Sequence, residues 1–247
     1  MAFHIGTSGW SYDHWVGLLY PKRASSLERL DAYARRFRSV EVNNTFYRWP
    51  KDETFTTWHD RLPEGFVVSV KASRGLTQFR RLKDPKPWLD RMEGGLRRLG
   101  EKLGVLLVQL PRSLACDLGR LDGFLGLVPP GIRVAIEFRH PSWLCSEVFA
   151  VLERHGAAYC ITSGASLPSV LRISAPFAYV RFHGPNPRQP YGGSYTDDDL
   201  RGWADRLREW AAQGREVFAY FNNDAQGNAV RNAETLQGML GAGPRTT

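Results

Sequence analysis

The chain has only three cysteines, Cys116, Cys145 and Cys160, and none of them is in C-x-x-C spacing. That number and spacing fit neither a disulfide framework nor a structural zinc site, so the thiols read as small packing residues in a reducing compartment, the cytoplasm. Long hydrophobic runs are missing too. No apolar stretch approaches the roughly 18 to 20 residues that span a bilayer, and residues 1–8 alternate like a short strand instead of carrying a signal core. The chain therefore reads as soluble and unexported, with no membrane partner. There is no glycine-rich phosphate loop or dinucleotide fingerprint, because the Gly6-Thr7-Ser8-Gly9 turn lacks the required spacing. Histidine numbers six in all, too few for a multi-zinc cluster.

What the chain does have is ordinary globular composition, 43% hydrophobic and 23% charged, over 247 residues. Apolar runs rich in β-branched and aromatic residues recur at 3–7, 39–42, 66–70, 105–110, 132–138, 157–161, 177–182 and 216–221, and these predict strands. Helical stripes separate most of them: Leu27, Leu30, Tyr33 or Ala34, and Phe37; Leu118, Leu121, Leu125 and Val128; Trp203, Leu207 and Trp210. Ser25 to Glu28 and Thr196 to Asp199 supply helix starts. Strand then helix, repeated about every 30 residues, predicts an α/β fold: a single TIM-type (β/α)8 barrel of eight parallel strands. Residues 163–176 carry two prolines and no helical stripe, so the crossover between strands 6 and 7 is expected to be irregular. One domain is expected over residues 1–240, with a frayed tail at 241–247.

Function is sought at the strand ends. Seven of the eight segments finish in polar or charged residues: Ser8, Glu41 with Asn43, Lys71, Gln109, Glu137 with Arg139, Arg181 with His183, and Asn222. In a parallel barrel those positions converge on one mouth. Parity along each strand points Glu41, Asn43, Lys71, Glu137, Arg139, Arg181, His183, Tyr220 and Asn222 inward and leaves Gln109 ambiguous. Such charges must pair or reach water, so they form either a purely structural ion-pair lattice or a site. The surplus of hydrogen-bonding groups, Asn43, Ser73, Gln109, His183, Asn222 and Asn223, favours the site. Aromatic residues follow the strands as a wall or a cap: Trp10, Tyr12, Trp15, Phe46, Tyr47, Trp49, Trp143, Tyr191 and Tyr195.

The strings GTSGWSYDHWVG (6–17), EVNNTFYRWP (41–50), VKASRGLT (70–77), LLVQLP (106–111), AIEFRHPSW (135–143), YVRFHG (179–184) and FNNDAQGNAVRNAETL (221–236) resemble those of the YecE-like family, domain of unknown function 72. The resemblance runs from Phe3 to about Leu240. It implies a barrel of the triosephosphate-isomerase type without an established reaction, and a site drawn from Glu41, Asn43, Tyr47, Lys71, Gln109, Glu137, Arg139, His183, Asn222 and Asn223. Two departures stand out. Thr77-Gln78 replaces a threonine-histidine of many relatives, which removes a titrating group, and Pro111-Arg112 replaces a proline pair.

Four readings follow. In the first, an enzyme transfers protons on an anionic, phosphorylated or polyhydroxy substrate; the catalytic residues are Glu137 as the general acid or base, tuned by Lys71 and Arg139, with Glu41 as its partner and His183 beside them. Arg139, Arg181, Asn43, Gln109, Asn222, Asn223, Trp10, Tyr12, Tyr47 and Tyr191 would bind the substrate. A hydrolytic version pairs Glu41 with Glu137 on a sugar bond. A nuclease-like version uses Glu41, Glu137 and His183 to hold magnesium or manganese, although no cofactor or metal ligand is predicted outright. The non-enzyme alternative is a nucleic-acid or phosphate-ligand binding module. It draws on the net charge of +8 and on residues 71–102, where ten bases meet four acids for a net +6. A solvated helix face is the favoured explanation of that excess.

Overall fold

In a computed structural model, which describes residues 3–164, 167–186, 188 and 191–243, the chain forms an eight-stranded parallel barrel. The strands are β1 (Phe3–Thr7), β2 (Ser39–Val42), β3 (Val67–Lys71), β4 (Leu103–Gln109), β5 (Val134–Glu137), β6 (Ala158–Ser163), β7 (Phe177–Phe182) and β8 (Glu216–Phe221). Helices α1 (Ser26–Arg36), α2 (Asn44–Tyr47), α3 (Asp52–Arg61), α4 (Lys86–Arg98), α5 (Leu118–Gly126), α6 (Ser146–Arg154), α7 (Asp197–Ala212) and α8 (Asn228–Leu240) connect them. Each pair of neighbours in the order β1-β8-β7-β6-β5-β4-β3-β2 is hydrogen-bonded in parallel.

The predicted helix starts are capping boxes. Glu28 N–H donates to Ser25 Oγ while Ser25 N–H donates to Glu28, and Thr196 and Asp199 repeat the exchange. Stripe residues Leu30, Tyr33, Leu121, Leu125, Leu207 and Trp210 are buried, whereas Leu27 and Leu118 sit exposed at the first turns of their helices. No helix lies between β6 and β7 among the described residues, as the prolines there predict. Helix α8 stops at Gly241, whose φ of +62° needs no Cβ; of the predicted tail, residues 244–247 lie outside the described residues. No described helix is long and apolar enough to cross a membrane.

The barrel closes unusually between β1 and β2. Only Ser8 and Glu41 bridge these strands, and Gly9 N–H donates to Glu41 O at 2.7 Å. Below that bridge the buried hydroxyl of Tyr33 takes the place of a ladder. It accepts from Thr7 N–H (2.9 Å) and donates to Ser39 O (3.0 Å). Gly6 makes this possible, because a Cβ there would lie 2.1 Å from Ser39 O.

Side chains alternate across the sheet as parity requires. The outward set joins the helices in the main core, while Val105, Leu107, Ala135, Ala158, Cys160, Phe177, Tyr179, Phe218 and Tyr220 fill the interior as a separate cluster. Gln109 follows Val105 and Leu107 on that parity, so the ambiguity resolves inward. The barrel is hydrocarbon below and charged at its carboxyl end, which gives the mouth its chemistry.

Candidate functional site

Glu41, Glu137 and Arg181 occupy the top layer of the interior and have no solvent exposure. Isolated charges at that depth would cost several kcal/mol each, so the geometry must neutralise them, and it does. Arg181 Nε donates to both carboxylate oxygens of Glu41 (3.2 and 3.0 Å), Nη2 to Glu41 Oε1 (2.7 Å) and Nη1 to Glu137 Oε2 (2.5 Å). Ser8 Oγ (2.6 Å) and Tyr179 OH (2.7 Å) donate to the remaining lone pairs of Glu41. Gln109 Nε2 (2.8 Å) and Arg139 Nε (2.7 Å) complete Glu137. Burial alone would push the Glu137 carboxyl up, but Arg181 and Arg139 outweigh it and hold the group well below the usual carboxylate range. Glu137 is therefore ionised, and Arg181 ties it to Glu41 in one hydrogen-bonded floor. Arg181, expected to meet substrate, is spent within that floor.

Lys71 is the exception. It ends β3, points inward and keeps 9% of its surface exposed, yet no carboxylate lies within ion-pair distance of it among the described residues. Its Nζ sits 4.2 Å from the centre of the Phe46 ring instead. Burial, reinforced by the Arg181 guanidinium and by Arg139, outweighs Glu137 and Glu41 and brings the amine down to about 7. An uncharged amine is then accessible near neutral pH.

His183 is fully buried beside the floor, and that burial lowers its pKa. Its Nδ1 lies 3.3 Å from Asn222 Nδ2 and accepts from it, which leaves the hydrogen on Nε2. That Nε2 stands 3.6 Å from Glu137 Oε2 and has no hydrogen-bond partner. Arg139 is partly exposed and also donates to Tyr191 OH at 3.1 Å. Tyr191 takes φ +64°, a strained conformation for an aromatic residue, and its ring meets His183 edge-on at 5.5 Å.

On the β1–β2 side, a groove of about 340 Å³ opens beside the mouth, lined by Gly9, Trp10, Tyr12, Asn43 and Tyr47 among others. Asn43 Oδ1 and Trp10 Nε1 are buried there without partners. Tyr12 donates to Ser8 O at 2.5 Å, so its hydroxyl is committed to the loop.

Not every predicted residue joins the site. Asn223 follows Asn222 with opposite parity and faces away, donating to Gly193 O (2.9 Å) and Asn232 Oδ1 (2.8 Å). Trp15 and Trp143 are fully buried caps whose indole N–H groups donate to Asp224 Oδ1 and Leu114 O. Trp49 and Tyr195 are buried as well. Gln78, where the resemblance leads to the expectation of a histidine, lies on a π turn over Gly75–Phe79 and donates to Gln109 O at 2.8 Å. Among the described residues no three His, Cys, Asp or Glu side chains are arranged to hold a metal, and Arg181 stands between Glu41 and Glu137. Sequence alone offers Ser8 only as a strand end and Phe46 only as part of the aromatic wall, and it does not single out Tyr179 at all. Tyr179 shares the parity of Arg181 two residues on, a signal available in advance; the contact between Phe46 and Lys71 depends on the turn into α2 and leaves none.

Known proteins place this geometry in a lineage. The chain is 27% identical over 272 residues to UPF0759 protein YunF of Bacillus subtilis, covering 96% of this chain and 94% of that one. A DUF72 family protein from Thermotoga maritima superposes with a TM-score of 0.86 at 28% identity, over 98% of this chain and all of that one. D-psicose 3-epimerase, solved in the presence of D-fructose, matches at a TM-score of 0.60 and 11% identity over 98% of this chain and 100% of that one, a likeness of fold alone. The family model described as "Protein of unknown function DUF72" matches residues 4–247, and the chain belongs to that family.

Proposed function

We propose that the chain is an enzyme that moves protons on a small anionic or polyhydroxy substrate at the barrel mouth, with Lys71 as its base. The observation that carries this reading is the buried Lys71 amine, unpaired among the described residues beside two carboxylates already bonded to Arg181; burial brings that amine down to about 7. A general base works best when its pKa lies near the operating pH. Glu137 and Glu41 hold the floor and its charge, and Arg139 offers the partly exposed cation for a substrate's anion. The neutral His183, Asn222 and Asn43 supply hydrogen bonds, two of them from atoms that lack partners. The hydrolytic and metal-dependent versions would need carboxylates released from Arg181.

The test is carbon-bound hydrogen exchange. A panel of sugar phosphates and hydroxy acids is incubated with the protein in D2O and followed by proton NMR. Deuterium uptake by one compound, rising through pH 7 and lost in Lys71→Met, supports the assignment. Uptake that persists in Lys71→Met removes Lys71 from the role of base.

A second reading rests on the rim. Arg74 lies over the rings of both Tyr47 and Phe79, at 5.8 and 5.5 Å, and these aromatics are 67% and 70% exposed. With Arg48, Trp88 and Arg91 they line a groove of about 300 Å³. Exposed aromatics interleaved with arginine suit single-stranded nucleic acid, where each stacked base contributes about 1–3 kcal/mol. Anisotropy of a labelled oligonucleotide should show affinity falling steeply with salt and weakening in Phe79→Ala. Binding indifferent to both changes would eliminate this reading.

A further inference from the structure

We propose that Lys71 acts as a covalent nucleophile, its Nζ condensing with the carbonyl carbon of a small anionic aldehyde or ketone to form an imine. This deepens the reading of Lys71 as the reactive group at the mouth and rests on it. The geometry is unusual for a lysine. Two carboxylates lie in the same layer, and both are saturated by Arg181, Arg139, Ser8, Tyr179 and Gln109, so neither is left to hold an ammonium. The amine therefore lies in a buried setting, with 9% of the residue exposed and no carboxylate to hold it among the described residues.

Lysine usage sharpens the contrast. The chain has six lysines against 27 arginines. Lys22, Lys51, Lys83 and Lys86 are exposed. Lys102 is buried at the opposite end, where it donates to His59 O and, at 2.6 Å, to Leu62 O. Only Lys71 is both buried and without an oxygen acceptor among the described residues. At the other charged positions of the floor the chain uses arginine, which remains protonated and cannot attack a carbonyl.

The chemistry balances without a co-reactant. The Nζ lone pair adds to the carbonyl carbon, and the two amine hydrogens leave with the carbonyl oxygen as water, giving C=N. Protonation of the imine by solvent creates a cation, which the face of Phe46, already 4.2 Å from Nζ, is placed to stabilise. Such an iminium draws electrons from the adjacent carbon and eases loss of a proton there, which is why desolvated lysines serve in Schiff-base chemistry. Arg139 supplies the cation for the carbonyl compound's anion, donating to Tyr191 and Glu137 from its other nitrogens. Burial first, and then the charged groups that face the amine, Arg181, Glu137, Glu41 and Arg139, set its protonation. A bound anion would raise it, so binding and protonation are coupled.

The experiment uses the whole wild-type protein with pyruvate and dihydroxyacetone phosphate as separate probes, sodium cyanoborohydride as the trap, and peptide mapping by mass spectrometry. The expected result is one dominant adduct, the probe's mass less one oxygen, at Lys71. Its yield should exceed that at each exposed lysine by at least tenfold near pH 7 and follow a titration centred there. The five other lysines serve as internal controls, so the result does not depend on any variant folding. Labelling of Lys71 no greater than that of the exposed lysines overturns the imine. If Lys71-dependent exchange persists in D2O despite that result, Lys71 remains a base; if both fail and the amine titrates near 10.5, both assignments fall.

Discussion

Both ends of the barrel hold a carboxylate shared between basic side chains. At the amino end, Glu216 takes a hydrogen bond from His4 Nε2 at 2.6 Å and pairs with Arg133, while Phe218 stacks under His4 at 4.6 Å and Arg133 lies over it at 4.9 Å. Their side chains keep 33%, 12% and 36% exposure, respectively, and none of their polar atoms is buried without a partner. At the carboxyl end the floor is fully buried and densely bonded, yet His183 Nε2, Asn43 Oδ1 and the amine of Lys71 remain unmatched around it. One end satisfies its charges at the surface, as a stability element does. The other satisfies its charges at depth and leaves buried polar atoms without partners, which is uncommon in a packed interior.

The strongest way to break that contrast is to remove the central cation of each network. Arg181→Met leaves two buried carboxylates facing each other, and urea unfolding should show a loss of about 3–5 kcal/mol. Arg133→Met removes a half-exposed pair and should cost about 1 kcal/mol or less. Equal losses would mean that the two ends are not different in kind.

Lys71→Met tests the same contrast with the opposite sign. The folded amine titrates at about 7 and the unfolded one near 10.5, so between those values the unfolded chain binds more protons and stability rises with pH. Below pH 7 the native state carries the full cost of a buried ammonium. The variant should therefore be more stable than wild type by on the order of a few kcal/mol at pH 6, and the gain should vanish as pH approaches 10.5. A site residue that weakens its own fold is behaving as functional residues often do. Constant stability differences across that range would show that Lys71 is not perturbed.

Much of this was legible because period 2 is a strong signal in strands buried on both faces. The ends of β5 and β7 sort Glu137, Arg139, Arg181 and His183 inward from parity alone. Parity also separates Asn222 from Asn223, a distinction that the resemblance blurred by offering both. What parity lacks is depth and partner. It cannot say that one guanidinium reaches two carboxylates from different strands, so Arg181 read as a ligand for substrate when it is the keystone of the floor. Nor does it govern loops: Trp15 and Trp143 sit in stretches that turn back onto the core, while Tyr47 turns outward. The Tyr33 seam was invisible for a related reason, since the residue reads as one more apolar position of α1 and only its hydroxyl does the bridging.

The smallest expected effect sharpens the mouth itself. Arg139 helps keep the Lys71 amine low, though less than burial and Arg181 do, and it also offsets Glu137, which acts in the other direction. Arg139→Gln removes a like charge and leaves Glu137 with one guanidinium fewer, so both consequences push the amine up. Competitive acylation of Lys71 followed across pH should show its midpoint moving modestly above 7, and the acid limb of adduct formation should move with it. Arg133→Gln, at the far end of the barrel, should leave that midpoint where it is. A shift of equal size from both variants would mean that the lysine responds to the net charge of the molecule as a whole, and the local arrangement of Arg139, Arg181 and Glu137 would lose its claim to tune it.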